Sequence, residues 1–435
     1  MSLVTELVCV ICGTAVDAPA SAGTCPICGD PFAVLDVRYD MDAVRASMTA
    51  EALAERGMNL WRYRELLPVD IADGTFAYGR DARATNAHDT GDSATDQSSG
   101  QCPDDHATTQ WPVGFTPIIE TNRLATWTKV KRLRLKDDTR NPTASFKDRA
   151  SSVGVLHALQ GGAKTIACAS TGNAASSLAG FAAMAGLPAV IFVPERAPEP
   201  KVAQLLVFGA DVRRVRGSYA QAYDLCSAEC ERNGWYNRNC AINPYLIEGK
   251  KTAGLEIAEQ TAGDLPEWVV VSVGDGCTIA GVAKGLRQMH ELGFIDRVPR
   301  VLGVQAAGMA PVAAAFETGE LPAGFTGSTV ADSIDVPVPR NWRKAVREVR
   351  AADGAFVRVT DEQIMDAIKA AGALAGVFAE PAAAAAVAGV KQAAAEGIFD
   401  ETTDALAVIT GSGLKDIASA MRIVGEPTDV EPLSS

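Results

Sequence analysis

From Thr116 onward, short apolar runs alternate with stretches whose apolar residues recur every three or four positions. "KTIACAS" precedes "AASSLAGFAAMAG", "AVIFVP" precedes "KVAQLLVFGA", and "DVRRVRG" precedes "AQAYDLCSAECERNG". Further on, "EWVVVSV" precedes "IAGVAKGLRQMHELG", "RVLGVQA" follows, and "DALAVIT" precedes "LKDIASAMRIVG". A strand buried on both faces needs a continuous apolar run, and a crossover helix needs a helical period. The alternation predicts an α/β architecture of parallel sheets, and the chain length favours two such lobes over one sheet.

Before that point the pattern is less regular. Residues 36–67 read as an apolar-periodic helical stretch ending in "LWRYRELLP". Residues 71–110 are rich in Asp, Ser, Thr, Gly and Asn and cannot bury enough apolar surface to order themselves. They read as a flexible insertion in which His88, Cys102 and His106 are incidental. The expected organisation is an N-terminal unit at 1–35 and an extension at 36–115 carrying that insertion. A large lobe follows from 116–150 and 241–428, and a small α/β lobe from 151–240.

Composition narrows the setting. The 435 residues are 47% hydrophobic and carry a net charge of -13, with a pI near 4.9. That balance argues against nucleic-acid and anionic-membrane partners. Residues 1–10 lack a basic region followed by a long apolar run, and 381–390 read as an alanine-rich helix rather than a membrane span. A soluble cytoplasmic protein acting on a small molecule is expected. Its ten cysteines then read as thiols or metal ligands. Four of them, Cys9, Cys12, Cys25 and Cys28, form "CVIC" and "CPIC", each followed by glycine. Two such knuckles facing across a short loop are the ligand set of a structural zinc ribbon.

The candidate chemistry centres on "NPTASFKDR". Ser145 and Asp148 fit a capping box, which makes Lys147 the second residue of a helix, at the positive end of its dipole. Cationic surroundings or desolvation lower a lysine pKa and make the amine a nucleophile toward carbonyls. Three strand-to-helix junctions carry small or polar loops: Ser170, Thr171, Gly172 and Asn173; Gly274, Asp275, Gly276, Cys277 and Thr278; and Thr410 to Gly413. Such loops sit where α/β proteins bind ligands, and their free N–H groups suit anions. "GDGCTIAG" is neither a P-loop nor a dinucleotide fingerprint. Asp275 would repel an anion if it pointed inward, leaving the backbone and Thr278 as donors. An amine, a phosphate cradle and a carboxylate cradle together describe a pyridoxal phosphate enzyme acting on an amino acid.

These motifs resemble those of the fold-type II pyridoxal phosphate enzymes, and of the threonine synthase family in particular. "NPTASFKDR" resembles that family's "NPTGSFKDR", and "ASTGN" its carboxylate loop. "TGSGLKD" resembles its "TGxGLKD", while "FAEPAAAAAVAG", "LWRYRELLPV" and "GFTPII" resemble other stretches of the family. The resemblance implies a two-lobed fold like that of the tryptophan synthase β chain, preceded here by the zinc-ribbon-like unit. It implies that Lys147 carries the cofactor and shuttles protons, and that Asn173 meets the cofactor's 3-oxygen. Ser170, Thr171 and Gly172 would hold the substrate carboxylate. Gly274, Asp275, Gly276, Cys277 and Thr278 would surround the cofactor phosphate, and Thr410 would face the pyridine nitrogen. Asn243 and Lys250 would contact substrate, and the assembly would be a homodimer.

Two departures bear on the substrate. "NPYLIEGKKT" has Leu246 where the family's "NPxRxEGQKT" has an arginine, with Lys250 or Lys251 available to replace its charge. Asp275 stands where the family has asparagine. The reaction expected is O-phospho-L-homoserine and water giving L-threonine and phosphate. Elimination or replacement at Cβ of O-phosphoserine, serine or threonine is the alternative chemistry. A non-catalytic binding protein is the alternative class.

Overall fold

The computed structural model describes residues 2–16, 23–71 and 111–432. All of the polar insertion except Ile71 lies outside the described residues, as do His88, Cys102 and His106. Near the N-terminus, β1 (Val4–Cys9), β2 (Ala15–Val16) and β3 (Leu35–Tyr39) form an antiparallel sheet in the order β2-β1-β3. β3 corrects the reading of 36–67 as one helical stretch. Helices occupy only Met41–Ser47 and Ala50–Ala54, with a 3-10 segment at Leu60–Leu66. The strand is hidden in the sequence because Asp36 is buried in it beside Leu35 and Val37, so polarity does not alternate with facing.

The remaining strands are β4 (Ile118–Glu120), β5 (Arg132–Asp137), β6 (Ile166–Ala169), β7 (Ala189–Pro194) and β8 (Asp211–Val215). After them come β9 (Tyr236–Asn237), β10 (Trp268–Ser272), β11 (Arg300–Ala306), β12 (Ala355–Val359) and β13 (Asp404–Ile409). They form a six-stranded sheet, β12-β11-β10-β13-β5-β4, and a four-stranded sheet, β8-β7-β6-β9. Every neighbour in these two sheets is parallel except the β4–β5 pair. β5, "RLRLKD", escaped the sequence reading because charges alternate along it. Its Arg134 and Lys136 are nevertheless buried, paired with Asp404 at 2.9 Å and Glu256 at 2.8 Å.

Behind the six-stranded sheet, the helices Lys147–Gln160, Tyr245–Gln260 and Cys277–Glu291 pack side by side. Glycines set their spacing. A Cβ added at Gly249 would lie 2.0 Å from the Arg149 carbonyl, and one at Gly285 would lie 2.2 Å from the Lys251 carbonyl. "LKDIASAMRIVG" is α-helical only over Ile417–Met421, after a 3-10 turn at Gly413–Lys415, shorter than its pattern suggests. Among the described residues no helix is long and apolar enough to cross a membrane.

Candidate active site

The three loops singled out in the sequence follow the carboxyl ends of β6, β10 and β13, where parallel sheets present ligand sites. Lys147 follows the carboxyl end of β5. It is the first residue of its helix rather than the second, because the expected capping box does not form. The Ser145 hydroxyl has no hydrogen-bond partner. The Asp148 carboxylate accepts from the Thr143 N–H at 2.6 Å and from the Thr143 hydroxyl. Local strain explains the change of cap. Ala144 has φ 59°, a left-handed conformation that glycine adopts freely, so the chain turns one residue later than a standard cap allows.

That turn is laced to residues 410–412. The Phe146 N–H donates to the Thr410 carbonyl at 2.8 Å, the Ser412 N–H donates to the Ala144 carbonyl at 3.1 Å, and a β-bridge joins Ser145 to Gly411. Lys147 is thereby fixed against the end of β13. Burial first, and then the nearby Lys250 ammonium, push its amine below the usual lysine range.

Two further helix starts are open to an anion. Gly172 precedes the helix Asn173–Ala185, and Gly276, at φ 88°, precedes the helix Cys277–Glu291. Neither start carries a side-chain cap, so the first N–H groups remain available, whereas at the Lys147 helix the Asp148 and Arg149 N–H groups donate to the Ser145 and Phe146 carbonyls. Gly274 and Gly276 are required by close approach. A Cβ on Gly274 would lie 2.9 Å from Ile334 Cα, and one on Gly276 would lie 2.9 Å from Ala345 Cβ.

Asp275 stays beside the helix start: one carboxyl oxygen accepts from the Arg340 N–H at 2.6 Å and the other from the Cys277 thiol at 3.6 Å. Burial, and then the negative charge of the Cys240 thiolate, raise its pKa to about 7, so it is largely uncharged in mildly acid solution. A protonated aspartic acid there is close in shape and polarity to the asparagine of the resembling family.

The structure brings Asn173 to Glu380, with the Asn173 amide donating to Glu380 Oε1 at 2.7 Å. A Cβ at Gly411 would lie 2.4 Å from the same oxygen, so this glycine leaves room for the pair. Glu380 was absent from the sequence-derived site residues. Its signal was present in "FAEP", but a glutamate before an alanine-rich run reads equally well as a helix start. A cavity of about 380 Å³ lies over Thr171, Gly172, Asn173 and Ser176 and is also lined by Glu380 and Lys415. Ser170 adjoins that loop, its hydroxyl accepting from the Gly172 N–H at 3.2 Å. Lys415 donates to the Ser176 hydroxyl at 3.0 Å, a second residue that the sequence reading had not placed.

Asn243 and Lys250 do not line that cavity. The Asn243 side chain is spent on the backbone of Asn237 and Tyr245, at 3.1 Å each. Lys250 is buried and donates to Cys240 Sγ at 2.9 Å. Leu246, at the position of the family's arginine, is fully buried against Gly154.

The four N-terminal cysteines form a separate cluster, their Sγ atoms all within 4.8 Å of one another. Cys9–Cys28 and Cys12–Cys25 stand 3.8 Å apart. A tetrahedral metal with bonds of about 2.3 Å to sulfur needs sulfur–sulfur edges of about 3.8 Å, so the donor set fits a closed structural site.

Residues 111–411 match the family model of pyridoxal-phosphate dependent enzymes. The chain belongs to that family. The threonine synthase of Methanosarcina acetivorans is 34% identical to this pyridoxal-phosphate dependent enzyme over 429 residues, 98% of this chain and 96% of its own length. That of Methanocaldococcus jannaschii is 32% identical over 426 residues, 97% of this chain and 96% of its own. The alignment with the Mycobacterium tuberculosis threonine synthase, 34% identical, spans 324 residues, 74% of this chain and 88% of the relative. Among solved structures, a T.th. threonine deaminase has a TM-score of 0.59 and 26% identity over 68% of this chain and 92% of its own. The enzyme is therefore a fold-type II pyridoxal-phosphate dependent lyase, threonine synthase-like along nearly its whole length. The half-buried amine, the uncapped helix starts and the glycine-lined approach are a physical fit to an aldehyde carrying a phosphate.

Proposed function

We propose that this chain converts O-phospho-L-homoserine and water to L-threonine and phosphate. The observation that carries the reading is the convergence of a half-buried, depressed-pKa Lys147 with open helix starts at Gly172 and Gly276, in a chain aligned end to end with threonine synthases. When bound, pyridoxal phosphate withdraws electrons from the substrate's Cα, which lets the adjoining carbons exchange protons and the Cγ substituent leave.

Each residue then has a defined task. Lys147 holds the cofactor and moves protons at Cα. Gly274, Gly276, Cys277 and Thr278 meet the cofactor phosphate, with Asp275, its pKa raised to about 7, beside them. Asn173, oriented by Glu380, faces the cofactor ring, and Thr410 faces its nitrogen. Ser170, Thr171 and Gly172 take the substrate carboxylate, with Lys415 and Ser176 adjoining. We assign a zinc ion to Cys9, Cys12, Cys25 and Cys28. The same reading divides the chain into a large lobe, 116–150 with 241–428, and a small lobe, 151–240. A homodimer in the cytoplasm completes it.

The alternative, elimination at Cβ, drew its support from Leu246, yet that side chain is packed in the core and does not line the cavity over Asn173. A substrate panel on purified holoenzyme tests the reading. Equimolar phosphate and threonine from O-phospho-L-homoserine are expected, and ammonia released from threonine or serine without phosphate turnover would overturn it.

A further inference from the structure

Outside the four-cysteine unit, the described residues include Cys168, Cys226, Cys230, Cys240 and Cys277. Four of these are buried, and Cys240 alone is partly exposed. A thiol enclosed by apolar neighbours is inert, and burial pushes that of Cys168 up to about 12. Cys240 has different company. The Lys250 ammonium, buried and without a salt bridge among the described residues, donates to Cys240 Sγ at 2.9 Å. The Cys277 thiol as a hydrogen-bond donor, and then the Lys250 and Arg238 cations, outweigh burial and hold the Cys240 thiol well below the usual thiol range. The thiolate is the form of cysteine that reacts with electrophiles and oxidants.

A second sulfur stands beside it. Cys240 Sγ, Cys277 Sγ and a carboxyl oxygen of Asp275 all lie within 4.8 Å of one another. Cys277 is buried and donates to Asp275 Oδ2 at 3.6 Å. The two cysteines are distant in the chain, one ahead of the helix Tyr245–Gln260 and the other opening the helix Cys277–Glu291. Left-handed backbone presents both of them. Ala241, directly after Cys240, has φ 71°, and Gly276, directly before Cys277, has φ 88°. That conformation is free to glycine but strained for alanine, and packing with Val34, Ile247 and Cys277 holds Ala241 in it. Strain kept beside a reactive group points to a functional constraint.

We propose that Cys240 and Cys277 form a reversible oxidation site, a thiol pair that reacts with hydrogen peroxide and closes to a disulfide. Cys240 attacks one peroxide oxygen as the thiolate, the O–O bond breaks, hydroxide leaves and Cys240 becomes a sulfenic acid. The Cys277 sulfur then attacks the Cys240 sulfur while its proton passes to Asp275. The S–O bond breaks and a second hydroxide leaves. The two thiol protons and the two hydroxides end as two waters, and the two electrons lost by the sulfurs reduce the peroxide. Bond formation draws the first residue of the helix Cys277–Glu291 toward Cys240. The N–H of that residue is assigned above to the cofactor phosphate, so closure weakens the cofactor site. This last consequence rests on the proposed cofactor contacts, whereas the oxidation itself does not.

The test starts from wild-type holoenzyme kept reduced, exposed to hydrogen peroxide, then alkylated and digested. Peptide mass spectrometry should find Cys240 cross-linked to Cys277 in most of the protein, and dithiothreitol should return both as free thiols. Two free thiols after treatment, or Cys240 carried to the sulfinic acid with no cross-link, would overturn the proposal. This readout needs neither turnover nor a variant. After the cofactor is removed, the oxidised protein should rebind pyridoxal phosphate at least tenfold more weakly than the reduced protein, and dithiothreitol should restore the affinity. The same treatment should change the affinity of Cys240→Ser by less than twofold. An equal loss in Cys240→Ser would trace the effect to other cysteines, such as the N-terminal four, and overturn the link to the cofactor. A cross-link that leaves cofactor affinity unmoved would sustain the oxidation site while refuting Cys277 as a contact of the cofactor phosphate.

Discussion

At the scale of single residues, Asp275 carries the sharpest consequence. Its pKa is raised to about 7, so the folded protein binds that proton more tightly than an unfolded chain does. The negative charge therefore appears only as pH rises through about 7, beside the backbone assigned to the cofactor phosphate. Pyridoxal phosphate affinity should fall between pH 6 and 8, by roughly tenfold if the charge costs about 1.4 kcal/mol. Asp275→Asn should remove this part of the profile, and fluorescence titration of both proteins across that range would show it. An unchanged profile in the variant would mean that Asp275 does not act on the phosphate. The residue type was plain in the sequence, but its protonation came from burial and from Cys240, which is distant in the chain. Lys147 is similar: its motif marked it, while the cations that tune it come from β9's end and the helix Tyr245–Gln260.

At the scale of elements, the helix that begins with Lys147 is held by its third residue. The Arg149 guanidinium donates to Asp138 at 2.6 Å and to Glu256 at 2.5 Å, all three fully buried, and Glu256 also takes Lys136. Burial opposes ionisation of Glu256, yet Arg149 and Lys136 hold its pKa down to about 2. Arg149→Met keeps much of the volume but leaves the Asp138 carboxylate without a cation in the interior and Glu256 with Lys136 alone. It should cost about 3–5 kcal/mol of stability, seen as a lower urea midpoint with an unchanged slope. A change below about 1 kcal/mol would show that the carboxylates find other partners. The elements themselves were legible where apolar runs were continuous, as in β7 and β10. They were illegible in β3 and β5, where inward-facing charges imitate a surface pattern because their partners lie far along the chain.

At the scale of the whole molecule, the N-terminal unit is joined to the catalytic body. Asp36 in β3 receives Lys284 at 2.9 Å, Lys344 and Arg347, while Tyr39 donates to Glu248 at 2.9 Å. Val34 and Val10 pack against Cys240, Ala241, Ile247 and Cys277, behind the loop assigned to the cofactor phosphate. The same strand closes the sheet of the four-cysteine unit. Stripping metal from the reduced protein with a strong chelator should therefore lower the melting temperature of the main transition by several degrees, with cofactor fluorescence reporting a weaker site. A small separate transition with the main one unmoved, in calorimetry, would show the unit to be thermally independent.

The sequence alone determined the cofactor class, the lysine, the three loops and the four-cysteine unit, because each is a local motif whose chemistry is set within a few residues. Tertiary structure decided the rest. It placed Glu380 on Asn173, left Arg238 and Lys250 without carboxylates, buried Leu246 and joined the four-cysteine unit to the helices Tyr245–Gln260 and Cys277–Glu291. Charge pairing and burial are properties of residues far apart in the chain, and they acquire values only when the fold brings those residues together.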